Sequence, residues 1–217
     1  MSDYQALYDE MYFRAGGYPP SHMVGRLWRF TPHAPGSIVD VGCGHGTLRR
    51  LVWPGTTLYG VDVARAALEN AARVSPVLNC LGPGCCPQDT GGRYSALALA
   101  DLTRVPFGWP PFKADTIFCA ELLEHFAPAD LACAMNNILA LGWDTAEVNL
   151  SISCQVAHAD SSGRPLHLTV RPAEWWLERL RGYLVVEKEE HDQTMLMVAG
   201  TARPSTERRP AAWSPPA

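Results

Sequence analysis

Lysine is nearly missing from this chain of 217 residues: only Lys113 and Lys188 occur, against 16 arginines. Charged residues make up only 18% and the formal net charge is −4, so no global basic field draws the chain to nucleic acid. No run approaches the roughly 20 apolar residues that a membrane helix needs. The first 17 residues (MSDYQALYDEMYFRAGG) contain acids and no apolar h-region, which argues against a secretory signal. No internal repeat of 20–50 residues is visible. The seven cysteines include no C-x-x-C pair. Cys80, Cys85 and Cys86 are therefore read as loop thiols, no metal site is expected, and reduced thiols point to a cytoplasmic protein.

What is present is a hydrophobic share of 47%, enough for a packed core of one domain. Short apolar runs alternate with helical text. SIVDV (37–41), TLYGVD (57–62), SALALAD (95–101), DTIFCAE (115–121) and AEVNLSI (146–152) read as strands, several ending in an acid. Residues 64–73, 129–141 and 172–180 read as helices. Residues 183–190 and 194–200 are separated by His191-Asp192-Gln193 and read as a hairpin. The expectation is an α/β fold: a Rossmann-like, seven-stranded, mostly parallel sheet with helices on both faces and a C-terminal antiparallel hairpin. The expected division is a helical cap over 1–36, one domain over 37–200, and a disordered Pro- and Arg-rich tail over 201–217. Residues 76–93 read as a long loop.

Parallel strands ending in acids put those acids at the carboxyl edge, where open α/β sheets bind ligands. The sharpest motif is Asp40-Val41-Gly42-Cys43-Gly44-His45-Gly46, ahead of TLRRLV, which reads as a helix start. The spacing is G-x-G-x-G, with Thr47 where a dinucleotide fingerprint has its last glycine, and no Lys-Ser/Thr follows as in a phosphate loop. Asp40 would repel a pyrophosphate and attract an ammonium. Asp62, 22 residues on, can accept two hydrogen bonds from a ribose diol, and Asp101 can reach a base amino group. One ligand carries an ammonium, a ribose diol and a purine in that order: S-adenosylmethionine (SAM).

VDVGCGHGTLRRL, LYGVDVARAALENA, ALADLTRVPF and DTIFCAELLEHF together resemble the successive motifs of class I SAM-dependent methyltransferases, of the type 11, small-molecule group. The resemblance covers about residues 37–152. It implies that Asp40, Gly42, Cys43, Gly44 and Gly46 surround the methionine part of SAM. It implies that Asp62 holds the ribose with Val63 against the adenine, that Asp101 and Leu102 flank the adenine, and that Glu121 and Leu122 line the methyl end. The chain departs from the family in lacking its basic-Pro-Gly-Gly turn before the fifth strand; only Gly142 stands there.

The donor's methyl is already activated, so the protein must align the reactants and, for some acceptors, take a proton. His125 and His167 are the candidate catalytic residues, with His158 behind them. His125 reads more readily as a helix-start residue bonding the backbone, and His167 reads equally as a turn-stabilising side chain. Tyr8, Met11 and Tyr12 have helical spacing and could cap a pocket or pack on the sheet. The expected activity is methyl transfer to an O or N atom of a small molecule. The alternatives are a nucleic-acid or protein methyltransferase, or a SAM-binding module acting through a partner. A nucleic-acid enzyme is disfavoured by Ala120-Glu121-Leu122-Leu123, where amino-methylating DNA enzymes carry Asn/Asp-Pro-Pro-aromatic.

Overall fold

The computed structural model describes residues 22–30, 36–53, 55–74, 94–104, 112–156 and 165–209, with Ala6, Tyr8, Gly163 and Trp213 besides. Seven strands form one sheet: β1 (Ser37–Val41), β2 (Thr57–Asp62), β3 (Tyr94–Leu99), β4 (Ala114–Ala120), β5 (Gly142–Ser153), β6 (Leu184–His191) and β7 (Met195–Ala202). Their order is β3-β2-β1-β4-β5-β7-β6. The β2–β1, β1–β4, β4–β5 and β2–β3 pairs are parallel, and β7 runs antiparallel to both its neighbours. Helices α1 (His22–Phe30), α2 (Arg65–Val74), α3 (Leu131–Ala140) and α4 (Ala173–Leu180) complete the layers.

The central strands are apolar on both sides because both sides are covered, whereas the edge strand β6 is polar and mostly exposed. Ile38, Leu58, Phe118 and Met197 pack with Met23 and Leu27 of α1 and Leu68 of α2. Their chain neighbours Val39, Tyr59, Ile117 and Leu196 pack into a second core with Met135 of α3 and Trp176 of α4. The period of two along each strand thus divides one sheet between two cores.

Three expectations need correction. The helix expected at TLRRLV is a single 3-10 turn, Leu48–Arg50. In the sequence Pro54 stands four residues after Arg50, and proline has no backbone N–H with which to continue a helix. The fifth strand begins at Gly142 rather than 146, carrying an irregular stretch between the pairs Ala114–Gly142 and Thr116–Glu147. A Cβ on Gly142 would stand 2.5 Å from Ala146 and 2.8 Å from Ile117, so the close packing at the start of β5 calls for glycine. The unstructured tail expected from residue 201 is also revised. Thr201 and Ala202 belong to β7, and buried Trp213 packs on Trp175, Trp176 and Tyr183, donating its indole N–H to the Tyr183 hydroxyl at 3.2 Å. The loop 76–93, with Cys80, Cys85 and Cys86, and also Met11, Tyr12 and His158, lie outside the described residues.

Candidate functional site

A cleft opens at the carboxyl edge of β1, β2, β3 and β4. Its enclosed volume is about 40 Å³, and the rest of the cleft is open to solvent. Gly42, Asp62, Val63, Asp101, Leu102 and Leu122 line it, joined by Val61, Ala100, Phe126, His125 and Tyr8. Six of the sequence-expected cofactor residues therefore share one cavity with the first candidate base.

The glycine loop is held from below. Gly42 and Cys43 donate their N–H groups to the Val61 carbonyl at 2.8 and 3.1 Å. Gly44 donates to one carboxylate oxygen of Asp62 at 2.8 Å, and Ala64 to the other, also at 2.8 Å. Asp62 thus organises the loop while it faces the cleft, and its oxygens keep lone pairs for further donors. Gly42 has φ +72°, and a Cβ there would press on Leu122 at 3.1 Å. The left-handed backbone and the tight contact both call for glycine.

Asp40, Cys43, Gly44 and Gly46 lie beside or beneath the cleft, not in its lining. Cys43 is buried in the α1–α2 core, and burial with the charges of Asp62 and Asp40 pushes its thiol well up. The Asp40 carboxyl accepts a hydrogen bond from the fully buried Tyr94 hydroxyl. Burial raises its pKa to about 7, against the lowering effect of that bond, with Asp62 adding to the rise. Tyr94 escaped the sequence reading. It opens β3 behind a loop, and nothing in spacing shows that its ring lies under Gly46 and Gly60.

A raised carboxyl pKa has a stability signature. Between about pH 4 and pH 7 the unfolded chain releases the Asp40 proton while the folded chain keeps it, so this contribution falls as pH rises. Asp40→Asn removes the penalty. Relative to wild type, the variant is expected to gain on the order of 3 kcal/mol between pH 4.5 and 8, read by urea unfolding at each pH. Parallel curves for the two proteins would refute the buried-carboxyl account.

Asp101 turns its carboxylate toward its own turn. One oxygen accepts from the Thr103 N–H at 3.0 Å and hydroxyl at 2.6 Å, and the other faces the Arg104 guanidinium at 3.0 Å. Asn137 of α3, a buried polar residue the sequence reading passed over, donates to the carbonyls of Leu102 at 2.7 Å and Arg104 at 3.1 Å. It fixes this turn against the helix.

At the other end, Glu121 takes φ +51°, a left-handed backbone rare outside glycine. Its N–H is paired with the Ser151 carbonyl at 2.8 Å. The 3-10 turn Leu123–His125 follows, where a helix-start His was expected. Leu168 and Thr169 donate to the Glu124 carbonyl at 2.9 and 3.0 Å, and the Thr169 hydroxyl donates to Phe126 at 2.7 Å. The segments after β4 and β5 are stitched together there. This brings the His167 ring edge-on to His125, centroids 4.8 Å apart, with Tyr8 edge-on at 5.7 Å. Both expected catalytic histidines thus meet, although only His125 lines the cleft. Burial, then the neighbouring His167, lowers the His125 pKa to about 4, leaving it a neutral imidazole at neutral pH. Beside it Glu124 is fully buried, and burial raises its carboxyl to about 8 against hydrogen bonds that lower it.

Residues 39–142 match the methyltransferase domain family. A comparison with curated proteins gives no match. Among solved structures, the chain is similar to the N-methyltransferase NodS from Bradyrhizobium japonicum WM9 in complex with S-adenosylhomocysteine. Identity is 16%, with 92% of this chain and 97% of that chain covered and a TM-score of 0.61. It is similar to magnesium protoporphyrin IX methyltransferase from Synechocystis PCC 6803 with bound SAM, at 14% identity, 93% and 98% coverage and a TM-score of 0.56. It is also similar to the protein in complex with the Haloferax volcanii Trm112 methyltransferase activator, at 15% identity, 92% and 97% coverage and a TM-score of 0.65. Residues 39–142 thus match a methyltransferase domain, and the chain shares its fold with methyltransferases solved with SAM or S-adenosylhomocysteine bound.

Proposed function

We propose that the chain transfers the SAM methyl group to an oxygen or nitrogen of a small-molecule acceptor. The observation that carries this is the cleft itself: a glycine turn, two strand-end acidic residues and an apolar wall converge on one cleft at the carboxyl edge of the sheet. Asp62 is assigned the ribose hydroxyls, with Val63, Asp101 and Leu102 around the adenine. Gly42, Gly44 and Gly46 give the methionine part close access to backbone, with Cys43 and Asp40 as support beneath. Glu121 and Leu122 flank the methyl end. When bound, the sulfonium supplies an activated methyl, so the protein's task is alignment and exclusion of water. Leu122, Phe126 and Tyr8 give that end an apolar lining. His125 and His167 stand there as the groups that meet the acceptor. Neutral His125, its Nδ1 against the Leu166 carbonyl at 3.0 Å, can orient an acceptor hydrogen better than it can hold a proton.

The magnesium protoporphyrin IX enzyme names a small-molecule acceptor and supports that class. Nucleic acid is not assigned as a partner: the net charge is −4. No helix among the described residues is long and apolar enough to cross a membrane. The free thiols of Cys43, Cys119, Cys133 and Cys154 suit a cytoplasmic setting. Calorimetric titration with SAM, S-adenosylhomocysteine and NADH tests the cofactor half of the proposal. Binding of both adenosyl ligands without NADH is the expected outcome. A folded sample that binds neither would remove the assignment.

A further inference from the structure

Glu124, His125 and His167 each bring one ligand atom to within 4.8 Å of the others, a juxtaposition that methyl alignment alone does not require. We propose that these three side chains form a binding site for one divalent cation of the transition series, at the acceptor end of the cleft. Its role toward an acceptor rests on the methyltransferase function above; its binding does not.

Three observations support the site. First, Glu124 is fully buried; its Oε1 accepts the Ser153 N–H at 2.9 Å, while Oε2 is buried with no hydrogen-bond partner. A buried carboxylate oxygen without a donor is costly unless a cation or proton meets it. Second, both imidazoles are anchored in one manner. Nδ1 of His125 faces the Leu166 carbonyl at 3.0 Å, and Nδ1 of His167 faces the Gln155 carbonyl at 2.6 Å. A carbonyl can only accept, so each Nδ1 in these contacts carries the hydrogen, which leaves the lone pair of His167 on Nε2; the His125 ring is bonded in addition by the Glu121 backbone. Metal-ligating histidines are held by such backing bonds. Third, the backbone bonds of Leu168 and Thr169 to Glu124 fix the two contributing segments against each other, so the donor set is built by the fold.

Two nitrogens and one carboxylate oxygen suit zinc, manganese, iron or cobalt better than calcium or magnesium, which favour all-oxygen sets. Donors about 2.1 Å from one ion stand at most about 4.2 Å apart, so loading closes the cluster by roughly half an ångström. Three protein ligands leave open positions, as in catalytic zinc sites. Next to the cleft, these would take an oxygen of the acceptor, which singles out hydroxyl- or carboxylate-bearing acceptors.

The full chain, stripped with chelator, is titrated with Co²⁺ by visible absorption and with Mn²⁺ by paramagnetic resonance. S-adenosylhomocysteine is titrated in parallel by calorimetry. The expected result is one equivalent of Co²⁺, with Glu124→Gln and His167→Ala each weakening it at least about tenfold while S-adenosylhomocysteine affinity holds. His167 is only half-buried, so its variant keeps the test valid should Glu124→Gln fail to fold. No uptake of either ion, or uptake that His167→Ala leaves intact, overturns the site. Adenosyl binding without metal uptake overturns the metal site alone. Metal uptake without adenosyl binding supports the site and overturns the cofactor assignment.

Discussion

Gly46→Ala is expected to destroy S-adenosylhomocysteine binding and to lower the unfolding free energy by roughly 2–5 kcal/mol. This sums about 1–2 kcal/mol for left-handed backbone and about 1–3 for overpacking. Gly46 has φ +76°, and a Cβ there would stand 2.7 Å from the Tyr94 ring. That ring cannot swing away: Tyr94 is fully buried and its hydroxyl is bonded to Asp40. Relief must therefore come from the loop, which pulls Gly42 and Gly44 out of place. Gly55 provides the control, with φ +87° and no atom within 4 Å of its Cβ position. Gly55→Ala should show the backbone cost alone and leave ligand affinity untouched. Equal effects of the two variants, by calorimetry and urea unfolding, would show that the loop is not seated on Tyr94.

The second large effect is expected from Asp62→Asn. If Asp62 served only as an acceptor for the ribose, the variant would lose affinity and keep its stability. In the structure, however, both carboxylate oxygens hold buried backbone N–H groups, of Gly44 and Ala64. An amide offers one oxygen in place of two, so one N–H is left facing an NH₂ group. Bonds to a charged acceptor contribute about 1.5–3 kcal/mol each. Asp62→Asn should thus lower stability by about 2 kcal/mol, and S-adenosylhomocysteine affinity by at least tenfold. A variant as stable as wild type would mean that Asp62 does not organise the loop.

Much of the fold was legible because strand text here is simple. β1 and β2 have the bounds expected for SIVDV and TLYGVD, runs of apolar residues stopped by glycine or an acid. The acids at strand ends likewise named the cleft's edge in advance. What stayed hidden depends on partners far along the chain. Tyr94 looks like the end of a loop until β3 comes to lie beside β2. The polar start of β5 was masked because Trp143, Asp144 and Thr145 are exposed in an irregular stretch. TLRRLV reads as a helix start, yet it forms only the 3-10 turn Leu48–Arg50. Trp213 was assigned to a polar tail, yet one indole can find a buried seat that composition does not reveal. At the site, the spacing in Glu121-Leu122-Leu123-Glu124-His125 was in view, but its meaning required His167, which arrives only through the segment after β5.

The strand order also bears on how the chain is made. β7 is the last strand to leave the ribosome, yet it stands between β5 and β6. Until residues 195–202 emerge, β5 presents a bare row of amide and carbonyl groups, and β6 has no neighbour to pair with. An open edge of this kind recruits other strands. A nascent or prematurely ended product lacking these eight residues would expose the apolar centre of its sheet to aggregation.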